Sequence, residues 1–149
     1  MSTEPEIPQG QTIEEIQQRE KIIKNFYANW IAVNPEKCIY NIHLQEFIHV
    51  RFLSIQETVE KAARSYKSTL AVTYLTEILE LAEVINHTKP KAGNKKQSRF
   101  SDIIIMQYSK AKFGQIKLTV GILRGSGEKI QYCITSIEKT TIQPATNTQ

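Results

Sequence analysis

His49 and Arg51 stand two residues apart in the run Phe47-Ile48-His49-Val50-Arg51-Phe52-Leu53. In a strand that spacing puts both side chains on one face, with Ile48, Val50 and Phe52 on the other. A guanidinium offers a planar fork to two phosphate oxygens. An imidazole with an ordinary pKa near ~6.5 takes or gives a proton at neutral pH. Together they could hold a phosphodiester and move a proton beside it. The pair also fits a plain outward strand face, with Arg51 paired to Glu46 or Glu57.

A second candidate is the polar break Ser65-Tyr66-Lys67-Ser68-Thr69 between two helical patterns. Free N–H groups at the start of the next helix attract an anion, with Ser68 or Thr69 as the N-cap. Arg64 and Lys67 add charge, and Tyr66 adds a stacking surface or a proton donor. The alternative is an ordinary serine-capped turn between helices. A third set is Arg99, at the lip of the first of three strand-like runs, with Lys117, Gln131 and Thr135 further along. If the last three share a face they line a shallow groove opposite Arg51, and strand register decides whether they do. Otherwise they coat a solvent-facing sheet.

No metal or cofactor is expected. The chain has no CxxC, no clustered histidines, no HExxH and no carboxylate cluster with metal spacing. Gly125-Ser126-Gly127 lies between two strands rather than before a helix and reads as a turn. Cys38 and Cys133 sit in apolar runs, where free cysteine behaves as a small hydrophobe.

The elements that must position these residues follow from periodicity and caps. Thr12 and Glu15 form a capping box opening a helix over about 12–33, which stops before Asn34-Pro35. Its apolar stripe includes Ile23, Tyr27 and Trp30. Cys38 to Ile42 is a strand or a packing segment. Ser54 and Glu57 read as a second capping box, starting a helix whose buried stripe is Ile55, Val59, Ala62 and Ala63. A third helix ends near Ile85, and a lysine-rich loop covers Asn86 to Ser98. Strands are expected at Asp102–Tyr108 (covered on both faces), Gln115–Leu123 and Lys129–Ile137. The glutamates at 57, 60, 77, 80 and 83 read as solvated helix faces. Residues 1–11 read as a disordered polar arm, 12–139 as a single domain and 140–149 as a flexible tail. The fold class is therefore α+β, with two to three N-terminal helices packed on a three- to five-stranded, mainly antiparallel sheet.

With 149 residues the chain is large enough to bury a core without disulfides or metal. No apolar run approaches the ~18–20 residues that span a bilayer. The polar, acidic start carries no signal-like pattern, so no membrane and a cytoplasmic location are expected. Charge is divided unevenly. Residues 1–36 hold three Lys/Arg against six Glu, whereas residues 89–149 hold eleven against three acids. Such asymmetry attracts polyanions, although exposed lysines also keep strand edges from pairing.

Several phrases are familiar in combination. Ser54-Ile55-Gln56-Glu57-Thr58 follows a strand, Ser65 to Val72 and Leu75 to Leu79 make two short helices, and a basic loop follows. Lys117 to Gly121 and Gln131 to Thr135 then lie in a β-meander. This organisation resembles the barnase–EndoU–colicin–RelE-like superfamily, and more narrowly its versions among the large polyvalent protein-associated domains of phages and conjugative elements. It covers roughly two thirds of the chain, leaving the first helix and both termini as extra. The resemblance implies an RNA-directed fold, in a group where many members are metal-independent ribonucleases and some have lost activity.

Metal-independent cleavage needs a base for the 2′-hydroxyl, cations around the phosphate and an acid for the leaving oxygen. His49, Arg51 and Lys67 are the candidates for that chemistry. Arg64, Ser68, Thr69, Arg99, Lys117, Gln131 and Thr135 are the candidates for RNA contact. A non-catalytic module binding RNA or a protein is the second reading. An accessory protein that oligomerises through the Trp30 stripe is the third. Convergence of His49, Arg51, Lys67 and Arg99 on one cleft separates the first from the others.

Overall fold

A computed structural model describes residues 6–137. Among them the order is α1 (Ile13–Val33), β1 (Cys38–Asn41), β2 (Glu46–His49), α2 (Phe52–Ala62), α3 (Tyr66–Val72), α4 (Leu75–Leu81), β3 (Glu83–Thr88), β4 (Phe100–Lys110), β5 (Gly114–Leu123) and β6 (Lys129–Ser136). The strands form one sheet in the order β1-β2-β6-β5-β4-β3. Neighbours run antiparallel except β2 and β6, which are parallel. The class is α+β as expected, with four helices and a mixed six-stranded sheet in place of the smaller number of elements foreseen.

Thr12 caps α1 by accepting from the Glu15 N–H, and the Glu15 carboxylate accepts from the Thr12 hydroxyl and the Gly10 N–H. The helix ends at Asn34, before Pro35. Residues 6–11, expected to be disordered, are instead tied down, with Ile7 in the core. Buried Arg19 donates to the carbonyls of Pro8, Gly10 and Ala63, clamping this arm and the end of α2 together. Residues 1–5 and the expected tail at 140–149 lie outside the described residues. Trp30 is also buried and donates from Nε1 to the Thr76 hydroxyl at 2.9 Å. Ile23, Tyr27 and Trp30 of the α1 stripe therefore pack on their own domain.

The structure corrects three local expectations. The helix α2 begins at Phe52 with Arg51 as its N-cap, so Ser54 is its third residue rather than its cap. Phe52 consequently points to solvent, 73 % exposed, instead of joining Ile48 and Val50 inside. The expected third helix is two short ones, α3 capped by Ser65 and α4, separated by a turn at Thr73 and Tyr74. Glu83 to Thr88 is an edge strand rather than helix end and loop; its six residues are all exposed, so no apolar alternation marks it.

Helices cover one face of the sheet. The main core joins Ile23 and Tyr27 of α1, Val59 and Ala62 of α2, and Leu75, Ile78 and Leu79 of α4 to Ile104, Met106, Leu118, Val120 and Ile134 of the sheet. Full burial of each such aliphatic side chain contributes about 1.5–3 kcal/mol. Strand β2 pairs with β6 only at Ile48–Lys129 and His49–Ile130. Beyond Ile130, α2 packs along β6, and the Ser54 hydroxyl donates to the Gln131 carbonyl. This contact satisfies a strand-edge acceptor that β2 no longer reaches. A smaller cluster of Leu53, Phe100, Ile103, Ile130, Tyr132 and Cys133 forms on the opposite face.

Candidate nucleic-acid interface

Of the four cationic groups expected to converge, the structure brings three to one end of the sheet. Glu128, just before β6, places its carboxylate 2.7 Å from Arg51 Nη2 and 3.7 Å from His49 Nε2. Arg51 and Arg99 line a cavity of about 290 Å³ with Phe52, Gln56 and Phe100. Arg51 is thus paired, but to Glu128 rather than to Glu46 or Glu57. Glu46 instead holds Lys129 at 2.8 Å.

Lys67 is elsewhere. It lines a separate cavity with Lys110, Phe113 and Ser136, at the opposite end of β6. Seven residue steps separate Lys129 from Ser136, about 23 Å at ~3.3 Å per residue. The expected cleft joining Lys67 to His49 and Arg51 therefore does not form. Arg64 points outward and pairs with Glu60 at 3.5 Å. Ser68 and Thr69 are buried, and both hydroxyls donate to the Ala62 carbonyl, closing the end of α2. Neither is the expected N-cap: that position is Ser65, Ser68 and Thr69 lie inside α3, and their hydroxyls are turned inward.

The third set is split by a β-bulge. Thr119 pairs with Cys133 but Val120 pairs with Gln131, leaving Tyr132 as an extra residue. The bulge changes which face each later side chain meets. Gln131 turns to the helices, fully buried, and donates from Nε2 to Tyr27 Oη at 2.7 Å and Thr58 Oγ1 at 2.8 Å. It is not a groove residue. Lys117 and Thr135 are directly paired across β5 and β6 and do share the open face.

There they line a groove of about 290 Å³ with Thr119, Cys133 and Tyr132 along its floor. Lys61 of α2 forms one wall, and Lys89, Lys91 and Asn94 of the loop after β3 form the other. Lys61 is held by Glu57 at 3.2 Å and Lys89 by Asp102 at 2.8 Å. Lys91 and Lys117 have no carboxylate partner among the described residues. Burial pushes the Cys133 thiol up, and the Thr119 hydroxyl and nearby lysines counter it only in part. Burial likewise raises the Tyr132 phenol, with the Glu57 charge adding to it. Neither side chain is poised to lose a proton at neutral pH.

The loop over the groove is fastened by a residue expected to be solvated. Glu57 is 1 % exposed and accepts Lys96 Nζ at 2.7 Å beside Lys61. Burial pushes the Glu57 carboxyl up, but the hydrogen bonds from Lys96 and Lys61 outweigh it and leave it below the usual range. Gln97, also buried, accepts from the Lys91 N–H at 2.8 Å through its side-chain oxygen. Glu128, Glu57, Lys61 and Lys91 were not singled out as site residues from the sequence. A lone acid in a glycine turn and lysines scattered over helix and loop carry no spacing signal.

No group of three or more His, Cys, Asp and Glu among the described residues is placed to hold a metal ion. No helix of the described chain is long and apolar enough to cross a membrane. No protein-family model, no curated protein and no solved structure matches this chain.

Proposed function

We propose that the chain is an RNA-binding module that holds, without cleaving, a phosphodiester backbone in the groove on the open face of its sheet. One observation carries the reading: Lys91 and Lys117, neither offset by an acid among the described residues, face the same groove from loop and sheet. Unpaired cations across a narrow slot attract a polyanion and release its counterions on binding. Cleavage without metal requires a base and an acid beside the same phosphate. The groove lining includes no histidine, and its tyrosine and cysteine are biased toward the protonated state. The likeness to the barnase–EndoU–colicin–RelE-like superfamily, with its inactive members, fits a mobile-element origin for such a module.

The test is RNA binding by the full chain at several salt concentrations, with EDTA present and the RNA checked on a gel afterwards. Expected is binding that weakens steeply with salt, intact RNA, and weaker binding by Lys91→Gln and Lys117→Gln. Salt-independent binding, or variants indistinguishable from the parent, overturns the reading.

A second reading, a metal-independent endoribonuclease, is favoured by the Glu128 carboxylate lying between His49 and Arg51. In that chemistry Glu128 or His49 takes the proton of the 2′-hydroxyl. The freed oxygen attacks phosphorus, the bond to the 5′-oxygen breaks, and the other residue protonates that oxygen. Arg51 and Arg99 would neutralise the phosphate. Cleavage in EDTA that disappears in both His49→Ala and Glu128→Gln would establish this site in place of the binding-only reading.

A further inference from the structure

The loop between β3 and β4 has cationic hollows on both of its sides. On one side lies the groove of Lys61 and Lys117; on the other, a hollow of about 690 Å³ is lined by Lys95, Ser98, Ser101 and Arg124. Lys89, Lys91 and Asn94 line both, so the two adjoin at the loop that separates them. Lys95 and Arg124 have no carboxylate partner among the described residues, and Arg124 is aimed by donating from Nε to the Ser98 carbonyl at 3.0 Å. The loop is itself anchored, by Lys96 on Glu57 and by Lys89 on Asp102.

Lys117 and Arg124 are seven residues apart along β5 and its turn, about 24 Å at ~3.4 Å per residue. One phosphate cannot touch both, but a flexible chain of phosphates can. The narrow end, at about 290 Å³, is the size of a single small-molecule site and favours one strand over two paired ones. Half-buried Ile105 on its floor offers apolar surface to a base, while Thr119, Thr135 and Asn94 offer polar groups.

We infer that the two hollows form one track for single-stranded RNA, which crosses the loop from the Lys117 groove to a second phosphate-binding site at Lys95 and Arg124. The inference rests on the groove reading above and adds to it the strand class, the direction of the path and a second site. Charge complementarity along an extended slot distinguishes this occupant from a compact anion.

The experiment measures anisotropy of labelled oligouridylates of about four and about sixteen nucleotides, the range of known single-strand footprints. An RNA duplex and a polyglutamate competitor complete the set. The proteins are the full chain, Lys95→Gln/Arg124→Gln and Lys117→Gln, each checked for its fold by circular dichroism. Lys117→Gln should weaken both oligomers. The double variant should bind the long oligomer roughly tenfold more weakly and the short one unchanged. Its salt slope on the long oligomer should fall by about 1.4, two phosphates at ~0.7 each. Equal binding of duplex and single strand, equal competition by polyglutamate, or a double variant that matches the parent on the long oligomer overturns the track. In the last case salt-dependent parent binding leaves the groove reading standing. Absence of RNA binding by the parent protein removes the groove reading and the track together.

Discussion

Lys96, on the loop that follows β3, donates to Glu57 of α2 at 2.7 Å, and the carboxylate it reaches is almost fully buried. The pair joins two elements that no strand pairing connects, and it sets the height of the loop above the sheet. Lys61 approaches the other carboxylate oxygen at 3.2 Å. A single glutamate thus holds both walls of the lysine groove.

Replacement of Glu57 by Gln should cost about 1.5–3 kcal/mol at neutral pH, the range for hydrogen bonds to a charged group. Urea denaturation measures it directly. The pH dependence has a definite sign. Lys96 and Lys61 hold the folded-state carboxyl below its ordinary value of about 4.5, so near that pH the unfolded chain binds more protons. The contribution is complete above the ordinary value and is lost as pH falls through the depressed one. Stability of the parent should therefore drop on acidification more than that of Glu57→Gln. Equal acid slopes for the two proteins would remove the role assigned to this carboxylate. Trypsin should also cut after Lys91 or Lys95 faster in the variant, because the loop has lost its anchor.

Gln131 provides a contrast between fold and site. Its amide donates to Tyr27 and Thr58 in a fully buried cluster, and burial pushes the Tyr27 phenol up to about 12. Gln131→Leu strands both hydroxyls away from water, at a cost of about 1–3 kcal/mol. Thermal or urea denaturation should show that loss, and RNA affinity at a temperature where the variant is folded should match the parent. A selective loss of RNA binding with unchanged stability would place Gln131 in the interface after all.

Sequence periodicity located most of what lies in the core and little of what lies at the surface. Thr12, Asn34 and the alternations around Ile104, Leu118 and Ile134 are short-range signals, and the corresponding elements formed at those places, whereas the cap expected at Ser68 or Thr69 stands at Ser65. Ser54 was misread as a cap because its hydroxyl partner, the Gln131 carbonyl, is 77 residues away. β3 was missed because an exposed edge strand needs no apolar face. Lys117 and Thr135 were found from alternation, yet Gln131 could not be separated from them. One extra residue at Tyr132 reverses the facing, and a bulge leaves no mark in an apolar run. The groove is assembled from a helix, a loop and two strands, so its lysines have no common spacing to read.

Gly121 occupies the position on β5 beneath the Phe100 ring, and a Cβ there would stand 2.5–2.6 Å from three ring carbons. The constraint is packing rather than backbone conformation, since Gly121 is not among the positive-φ glycines. Phe100 in turn meets Tyr132 edge to face, with ring centroids 5.9 Å apart, under the groove floor. Gly121→Ala should therefore force the phenylalanine to shift, at about 1–3 kcal/mol for an overpacked site. Phe100→Leu alone should cost stability by leaving a void, but combined with Gly121→Ala it should recover part of the loss, because the smaller side chain makes room for the added methyl. A double-mutant cycle by urea denaturation measures that coupling. Strict additivity would mean that the ring and the glycine do not constrain each other, and that the floor of the groove is set by some other contact.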